Sequence, residues 1–404
     1  MNYFVILLLV AVTCSGFAVD KGWLPGVFRL LPEALSVLVL LVVVAEGLRD
    51  RFRNVRPEYW FAFGGVVLLM VCGALANGAA PGPVISGLRT YMRALPLFLL
   101  PAVIVFSERQ LRLQLLALLL IVLAQLPLSI QQKQHEMFYG NSSGDNIVGT
   151  LGGSGLLSIF LIGAACVLTA MYVQRRVSLW AWLPLLAVCL GPIAINETKA
   201  SFILLPIGLL VTFWVASPPR RRAANLLGAV ATLVAVGAAI IPIYDYWADQ
   251  RPQSTGGGVS VIEFFTDQNV LDSYVNFDPG KDTELLGRGV AYRVATNDIL
   301  RDPVKAVLGL GIGNASRSNL GFKYSGQYAE QYWPVRQTSV LLLLLELGAG
   351  GLLLTLLAQW LVYRDALVLA RADTSLWGSL AAGWAGAMAA TLVASLYSEL
   401  LQSA

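Results

Sequence analysis

The chain has 404 residues, 57% of them hydrophobic and 13% charged, with a formal net charge of +4. Its apolar residues fall in blocks near the ~20 needed to cross a bilayer as a helix. Lipid satisfies no backbone hydrogen bonds, so spans are helices or closed barrels, and blocks this uniformly apolar exclude the alternating pattern of a barrel. The expected fold is an all-α polytopic membrane protein.

The first block, Tyr3 to Val19, lacks a basic n-region and reads as a retained span, not a cleaved signal. Further spans are expected at 28–48, 59–77, 91–106, 111–130, 148–172, 177–195, 200–216, 224–244, 338–363 and 375–397. That makes eleven, within an architecture of about 11–12 transmembrane helices. Cys14, Cys72, Cys166 and Cys189 lie in or at the edge of these blocks without paired spacing. They suggest inert core thiols, and neither a disulfide framework nor a zinc site.

Alternate short connections carry Arg49, Arg51, Arg53 and Arg56, then Arg109 and Arg112, Arg175 and Arg176, Arg220 to Arg222, and Arg364 and Arg371. By the positive-inside rule these face the cytoplasm together with the amino terminus. The other connections then face outward, and an odd number of spans leaves the carboxyl terminus outside. Three regions follow: an amino-terminal transmembrane bundle of about nine spans over 1–244, a large periplasmic loop over 245–335, and carboxy-terminal transmembrane helices over 336–404.

In the loop, Pro252 and Gly256-Gly257-Gly258 predict an irregular first half. Arg288, Tyr292, Ala295 and Ile299 are spaced as on a helix that Asp302-Pro303 stops. Gly309, Gly311 and Gly313 resemble a phosphate-cradling run, but no strand precedes them. They read as a turn that lets the loop pack closely on the spans. Tyr324, Tyr328, Tyr332 and Trp333 suit either an aromatic belt at the membrane surface or stacking on sugar rings.

Arg89 and Arg93 break the positive-inside pattern. They are four residues apart at the outward start of the expected 91–106 span. A charge at mid-membrane costs on the order of 2.5–3.5 kcal/mol, so something must compensate it. Two guanidinium groups at a helix amino terminus make a good site for phosphate, whereas snorkelling to lipid headgroups is the plainer alternative. Lys199 is a further outward cation, with Glu197 as an alternative ion-pair partner. Arg288 and Arg293 add two more on the loop helix. A ligand held by all of them would carry several negative charges at membrane depth, as a lipid-linked pyrophosphate does.

Gly287-Arg288 with an aromatic four residues on, Asp302-Pro303, Gly309-x-Gly311-x-Gly313-Asn314, and Leu341 to Leu345 leading into Glu346-Leu347-Gly348 resemble the carboxy-terminal signature of the O-antigen ligase and Wzy-type polymerase superfamily. The likeness covers about 287–355. It implies a loop between late spans that carries the active face, and transfer of a glycan from undecaprenyl pyrophosphate to an acceptor in the periplasm. No metal or cofactor is implied. Arg288 then stands as the pyrophosphate-contacting arginine, Tyr292 where a tryptophan is usual, and Lys199 near where an arginine opens a span. The family's His-Asn pair, a proposed acceptor base, falls here on Gln337 and Thr338.

Glutamine takes no proton at neutral pH, so either another group serves as base or arginines stabilising the leaving group supply most of the rate. Glu330 and the chain's one histidine, His135, are the candidate substitutes. The expected site is Arg288, Gln337 and Glu330 for chemistry, with Arg89, Arg93, Lys199, Tyr292, Arg293 and Arg336 for the substrate. The expected function is an O-antigen ligase of the bacterial inner membrane, inverting and facing the periplasm. Its partners would be the undecaprenyl-pyrophosphate-linked glycan, lipid A-core or a growing glycan, and membrane lipids, with no nucleic acid. A Wzy-type polymerase, a transporter or flippase, and an inactive scaffold without its histidine are the alternatives.

Overall fold

In a computed structural model, described residues comprise 1–50, 52, 55–139, 144–249, 259–277, 286–318, 320–335 and 338–400. Among them all regular structure is helical. Eight helices are long and apolar enough to cross a membrane. They are α1 (Asn2–Asp20), α2 (Leu31–Asp50, entered through a 3-10 turn), α3 (Pro57–Ala76), α6 (Glu108–Phe138), α7 (Ser154–Val173), α10 (Arg222–Asp249), α15 (Ser339–Ala372) and α16 (Leu376–Ser395). The apolar α8 (Leu179–Ile195) and α9 (Ser201–Ala216) are shorter, at 17 and 16 residues.

Ten of the eleven expected spans each coincide with one of these helices; the exception is 91–106. There the chain forms two short helices, α4 (Pro81–Met92) and α5 (Leu95–Val103). Pro81 opens the first, Pro96 opens the second, and Arg93-Ala94 form the break. A proline has no N–H to give the preceding turn and disfavours helical geometry in the residue before it, so it starts helices and does not continue them.

The centre of the molecule is α7, α9 and α16 packed on one another. Small residues bring these backbones close, as is usual between membrane helices. A Cβ on Gly383 would lie 2.5 Å from the Val167 Cα, and one on Gly386 would lie 2.4 Å from the Gly208 carbonyl oxygen. All four cysteines are free, with Cys166 and Cys189 buried.

Two faces follow from antiparallel packing. On one, Gln114 at the start of α6 donates to Asn2 (2.9 Å), Arg56 pairs with Asp365 (2.9 Å), and Arg176 donates to the Thr374 carbonyl (2.5 Å). The basic connections therefore share a face with the amino terminus. The other face collects the ends of α6, α8, α10 and α16, the start of α15, and four short helices: α11 (Val261–Thr266), α12 (Gln268–Val275), α13 (Arg288–Leu300) and α14 (Pro303–Leu308). A Ser260–Glu263 capping box starts α11, Asp267 caps α12, and Asp302 accepts from the Val304 and Lys305 amides to start α14. The expected loop helix is α13, and its buried Ala291, Ala295 and Ile299 pack on Tyr332, Val335 and Leu345. The Pro252–Gly258 stretch lies outside the described residues.

The glycine run docks on a broken span. At Gly348 α15 leaves helical geometry with φ +68°. Two carbonyls freed around the break accept from the loop, Leu345 from the Leu310 amide (2.7 Å) and Glu346 from the Gly311 amide (3.1 Å). Gly309, Gly311 and Gly313 all have positive φ, and a Cβ on Gly313 would lie 2.0 Å from the Pro83 carbonyl oxygen. Beside this junction the buried Glu346 carboxylate accepts from Ser316 (2.6 Å) and Tyr91 (3.0 Å), which ties α4, the loop and α15 together.

Candidate functional site

The site is built where α13 meets the end of α16. Arg288, the first residue of α13, donates Nε to the Tyr397 carbonyl at 2.9 Å. Its guanidinium lies 4.0 Å from the Tyr397 ring centre and 4.6 Å from that of Tyr274 on α12. Those two rings are stacked at 6.2 Å, and their hydroxyls are hydrogen-bonded to each other. Burial raises the Tyr274 hydroxyl well above the usual phenol range and the neighbouring Tyr397 raises it further, outweighing the opposing pull of Arg288, so it remains protonated. Arg288 is thus held flat, with Nε committed and, among the described residues, no further hydrogen-bond acceptor on the rest of its donor fork.

One turn along, the Tyr292 hydroxyl donates to the Leu396 carbonyl (3.0 Å) and meets Thr338 Oγ1 (3.1 Å), the cap of α15. The segment after α16 is fixed from the other side by the Ser339 amide donating to the Ser398 carbonyl (3.1 Å) and the Leu400 amide donating to Ser339 Oγ (2.7 Å). Lys199, between α8 and α9, stands 4.4 Å over the Phe264 ring. Phe264 in turn packs edge-on against Tyr274 at 5.3 Å. An aromatic ladder therefore links Lys199 to Arg288.

Beside this ladder is a cleft of about 560 Å³. Asp145, Gly153, Ser154, Ser398 and Glu399 are among its lining residues. The start of α7 forms one wall, and its N-cap, Gly153, offers no side-chain cap to the first amides. Uncapped amides and the positive end of a helix dipole favour an anion there. The cleft thus offers anion-holding amides and two carboxylates, with a planar cation on the backbone of the adjoining residue.

The 148–150 segment, whose Val148 lines the cleft, is held by polar side chains of α6. Gln125, Ser129 and Lys133 are buried at four-residue spacing, on one helical face. Gln125 holds Thr150 through the Thr150 amide (3.0 Å) and hydroxyl (3.0 Å), and Gln132 accepts from the Val148 and Gly149 amides (3.1 and 2.8 Å). Lys133, fully buried, pairs with Glu197 at 2.7 Å. The expected partner of Lys199 is therefore engaged by a different lysine. Lys133 carries no flag in a hydropathy reading, but its register with Gln125 and Ser129 is visible in the sequence.

Several expected site residues sit elsewhere. Arg89 and Arg93 do not open a helix: they form the last turn and the C-cap of α4, because Pro96 starts a new helix after them. Arg89 is compensated by Glu33 in the first turn of α2 (Nε to Oε1, 3.1 Å), and the Arg93 carbonyl accepts from Ser36. The carboxylate that meets Arg89 thus comes from the neighbouring span α2. Arg293 is on the exposed side of α13. Glu330 is a surface residue paired with Arg317 (3.0 Å), and His135 is exposed against Tyr139. Neither lines the cleft. Tyr332 is buried under α13 and forms neither belt nor sugar platform, while Tyr328 packs against that core. Arg336 and Gln337 lie outside the described residues.

Phe264, Tyr274, Tyr397, Asp145 and Glu399 carry the site without having been singled out in the sequence. The Ser260-to-Glu263 and Asp267 capping signals could have revealed α11 and α12; nothing local marks Glu399. No protein-family model matches this chain, and no curated protein matches it.

Proposed function

We propose that the chain is a membrane glycan transferase that moves a polysaccharide from undecaprenyl pyrophosphate to an acceptor on the periplasmic side of the bacterial inner membrane. One observation carries this: a planar cation, Arg288, clamped on two tyrosines beside a cleft walled by the uncapped start of α7. Diphosphate suits both elements, since a guanidinium grips phosphate oxygens in pairs and free helical amides complement their charge. Lys199 at the far end of the ladder adds a second cation. The orientation rests on the positive-inside rule, because the arginine-bearing connections lie on the opposite face.

In the proposed single displacement, an acceptor hydroxyl attacks the anomeric carbon and forms the new C–O bond as the bond to pyrophosphate breaks. The lipid pyrophosphate leaves with the electron pair, held by Arg288 and the α7 amides. The hydroxyl proton passes to a carboxylate. Glu399 and Asp145 line the cleft, and either carboxylate suits that role where Gln337 cannot take a proton. General-base help is worth ~10²–10⁴-fold, and removing one preorganised donor to a developing charge costs ~10²–10³-fold.

Arg288→Ala, expressed at normal level, is expected to abolish glycan transfer in cells; unchanged product would remove the role assigned to it. We favour the ligase, with lipid A-core as acceptor, over a Wzy-type polymerase. Deleting the gene separates them, since polymer accumulating on the carrier lipid marks a ligase and single repeat units mark a polymerase.

A transporter would account for the broken α15 and the buried Lys133–Glu197 pair. It is the weaker reading on both. Carbonyls at the break are taken by the Leu310 and Gly311 amides and not left for an ion, and Glu197 lies in the α8–α9 connection, outside the helices.

A further inference from the structure

Opening on the face opposite the candidate site, a cavity of about 1360 Å³ runs between α8, α9 and α10. Small-molecule pockets run to ~300–1,000 Å³, so this one has room for a molecule with a long chain. Its shaft is apolar, lined by Trp182, Leu186 and Leu190 of α8 and by Ala231, Ala235 and Ala239 of α10. The α10 positions fall at helical spacing in line with Gly228, where a Cβ would meet nothing within 4 Å. In the most apolar window of α10 only 11% of residues are buried, so the cavity is walled on one side by a helix that itself borders lipid.

Its mouth is basic. Arg175, Arg221, Arg222 and Arg371 line it, against one acidic side chain, Asp373. That carboxylate is already held by the Ser375 amide (2.6 Å) and hydroxyl (2.7 Å). Arg175, Arg221 and Arg371 are exposed, whereas Arg222 keeps its Nε buried without a hydrogen-bond partner and its guanidinium 5.2 Å from the Trp214 ring centre. Four cations around the entrance of an apolar shaft match one chemistry, an anionic headgroup carrying acyl chains.

We infer that this cavity binds an anionic phospholipid of the cytoplasmic leaflet, its phosphodiester at the Arg175, Arg221, Arg222 and Arg371 rim and one acyl chain along α8 and α10. Guanidinium forks hold phosphate better than they hold any neutral headgroup, and basic pockets between spans on the cytoplasmic side are suited to acidic lipids. The bound chain fills the space that the small side chains of α10 leave open. The inference is independent of the glycan-transfer reading.

Native mass spectrometry of the purified full chain tests it, with phosphatidylglycerol, phosphatidylcholine of the same chains, and inorganic phosphate as probes. Phosphatidylglycerol is expected to bind at about tenfold lower concentration than phosphatidylcholine, with free phosphate failing to displace it. Arg221→Ala with Arg371→Ala, both at exposed side chains, should weaken phosphatidylglycerol by roughly fivefold per arginine, the factor that one basic side chain near an anionic surface supplies. Ala235→Trp should remove lipid adducts by filling the shaft while the unfolding temperature holds. Equal binding of the two lipids, displacement by inorganic phosphate, or full phosphatidylglycerol binding by the arginine double variant would each overturn the proposal. The arginine variant decides the matter even where Ala235→Trp fails to fold.

Discussion

The two faces of this molecule both carry arginines but hold them differently. At the candidate site, Arg288 has a carbonyl at 2.9 Å and two tyrosine rings within 4.6 Å. At the opposite face, Arg175, Arg221 and Arg371 stand exposed around a wide cavity. A cation fixed before its ligand arrives loses little freedom on binding and presents its charge in one place, which is what stabilisation of a developing charge needs. Exposed arginines on flexible stems tolerate headgroups of varied geometry and suit retention, not chemistry.

If the site face is preorganised, changes to its buried supports are costly, and the largest effect is expected at Lys133. Lys133→Met leaves Glu197 as a buried carboxylate without its cation, a change worth ~3–5 kcal/mol. Loss of folded protein in a thermal-unfolding assay is the expected outcome, with Lys133→Met/Glu197→Leu recovering much of it because no lone charge then remains. Next is Arg288→Lys. It keeps the charge but loses the planar ring contacts and the paired donors, and transfer is expected to fall about 10²-fold with unfolding unchanged. A lysine that works as well as arginine would show that charge alone, and not a fixed fork, is what the site uses.

Much of this architecture is legible in the sequence because lipid permits so few solutions. Uniform apolar blocks located ten of the helices, and arginine placement sorted their ends onto two faces as Arg56–Asp365 and Gln114–Asn2 bear out. Helical spacing located α13. The α4–α5 break was missed because hydropathy is blind to Pro96, although proline's effect on the preceding turn is local and readable. The break in α15 was hidden inside a run of leucines leading to Gly348, and its freed carbonyls accept from the Leu310 and Gly311 amides about 35 residues earlier. Arg288 could be named from the sequence, whereas Tyr274, Tyr397 and Glu399 could not, since they meet it only through the packing of α12 and the end of α16.

Gly348→Ala is expected to act at an intermediate level. The residue has φ +68°, and a Cβ there would lie 2.6 Å from both the Gly309 amide nitrogen and the Val307 carbonyl oxygen. Left-handed geometry for an alanine costs ~1–3 kcal/mol before any clash is counted. A tolerated alanine would mean that the span straightens and that the glycine run does not need the break.

The smallest effect should come from Arg293→Ala. This side chain follows Tyr292 directly, and consecutive positions on a helix are about 100° apart, so the turn that seats Tyr292 on Thr338 carries Arg293 to the exposed side. Substitutions at such positions shift stability by no more than ~0.5 kcal/mol. Its charge is screened beyond about 8 Å in physiological salt, so transfer should change less than about threefold. Side-by-side transfer assays of Arg293→Ala and Arg288→Lys measure what the fixed position of Arg288 contributes. Equal losses would mean that the cleft responds to net positive charge on α13 and not to one oriented guanidinium.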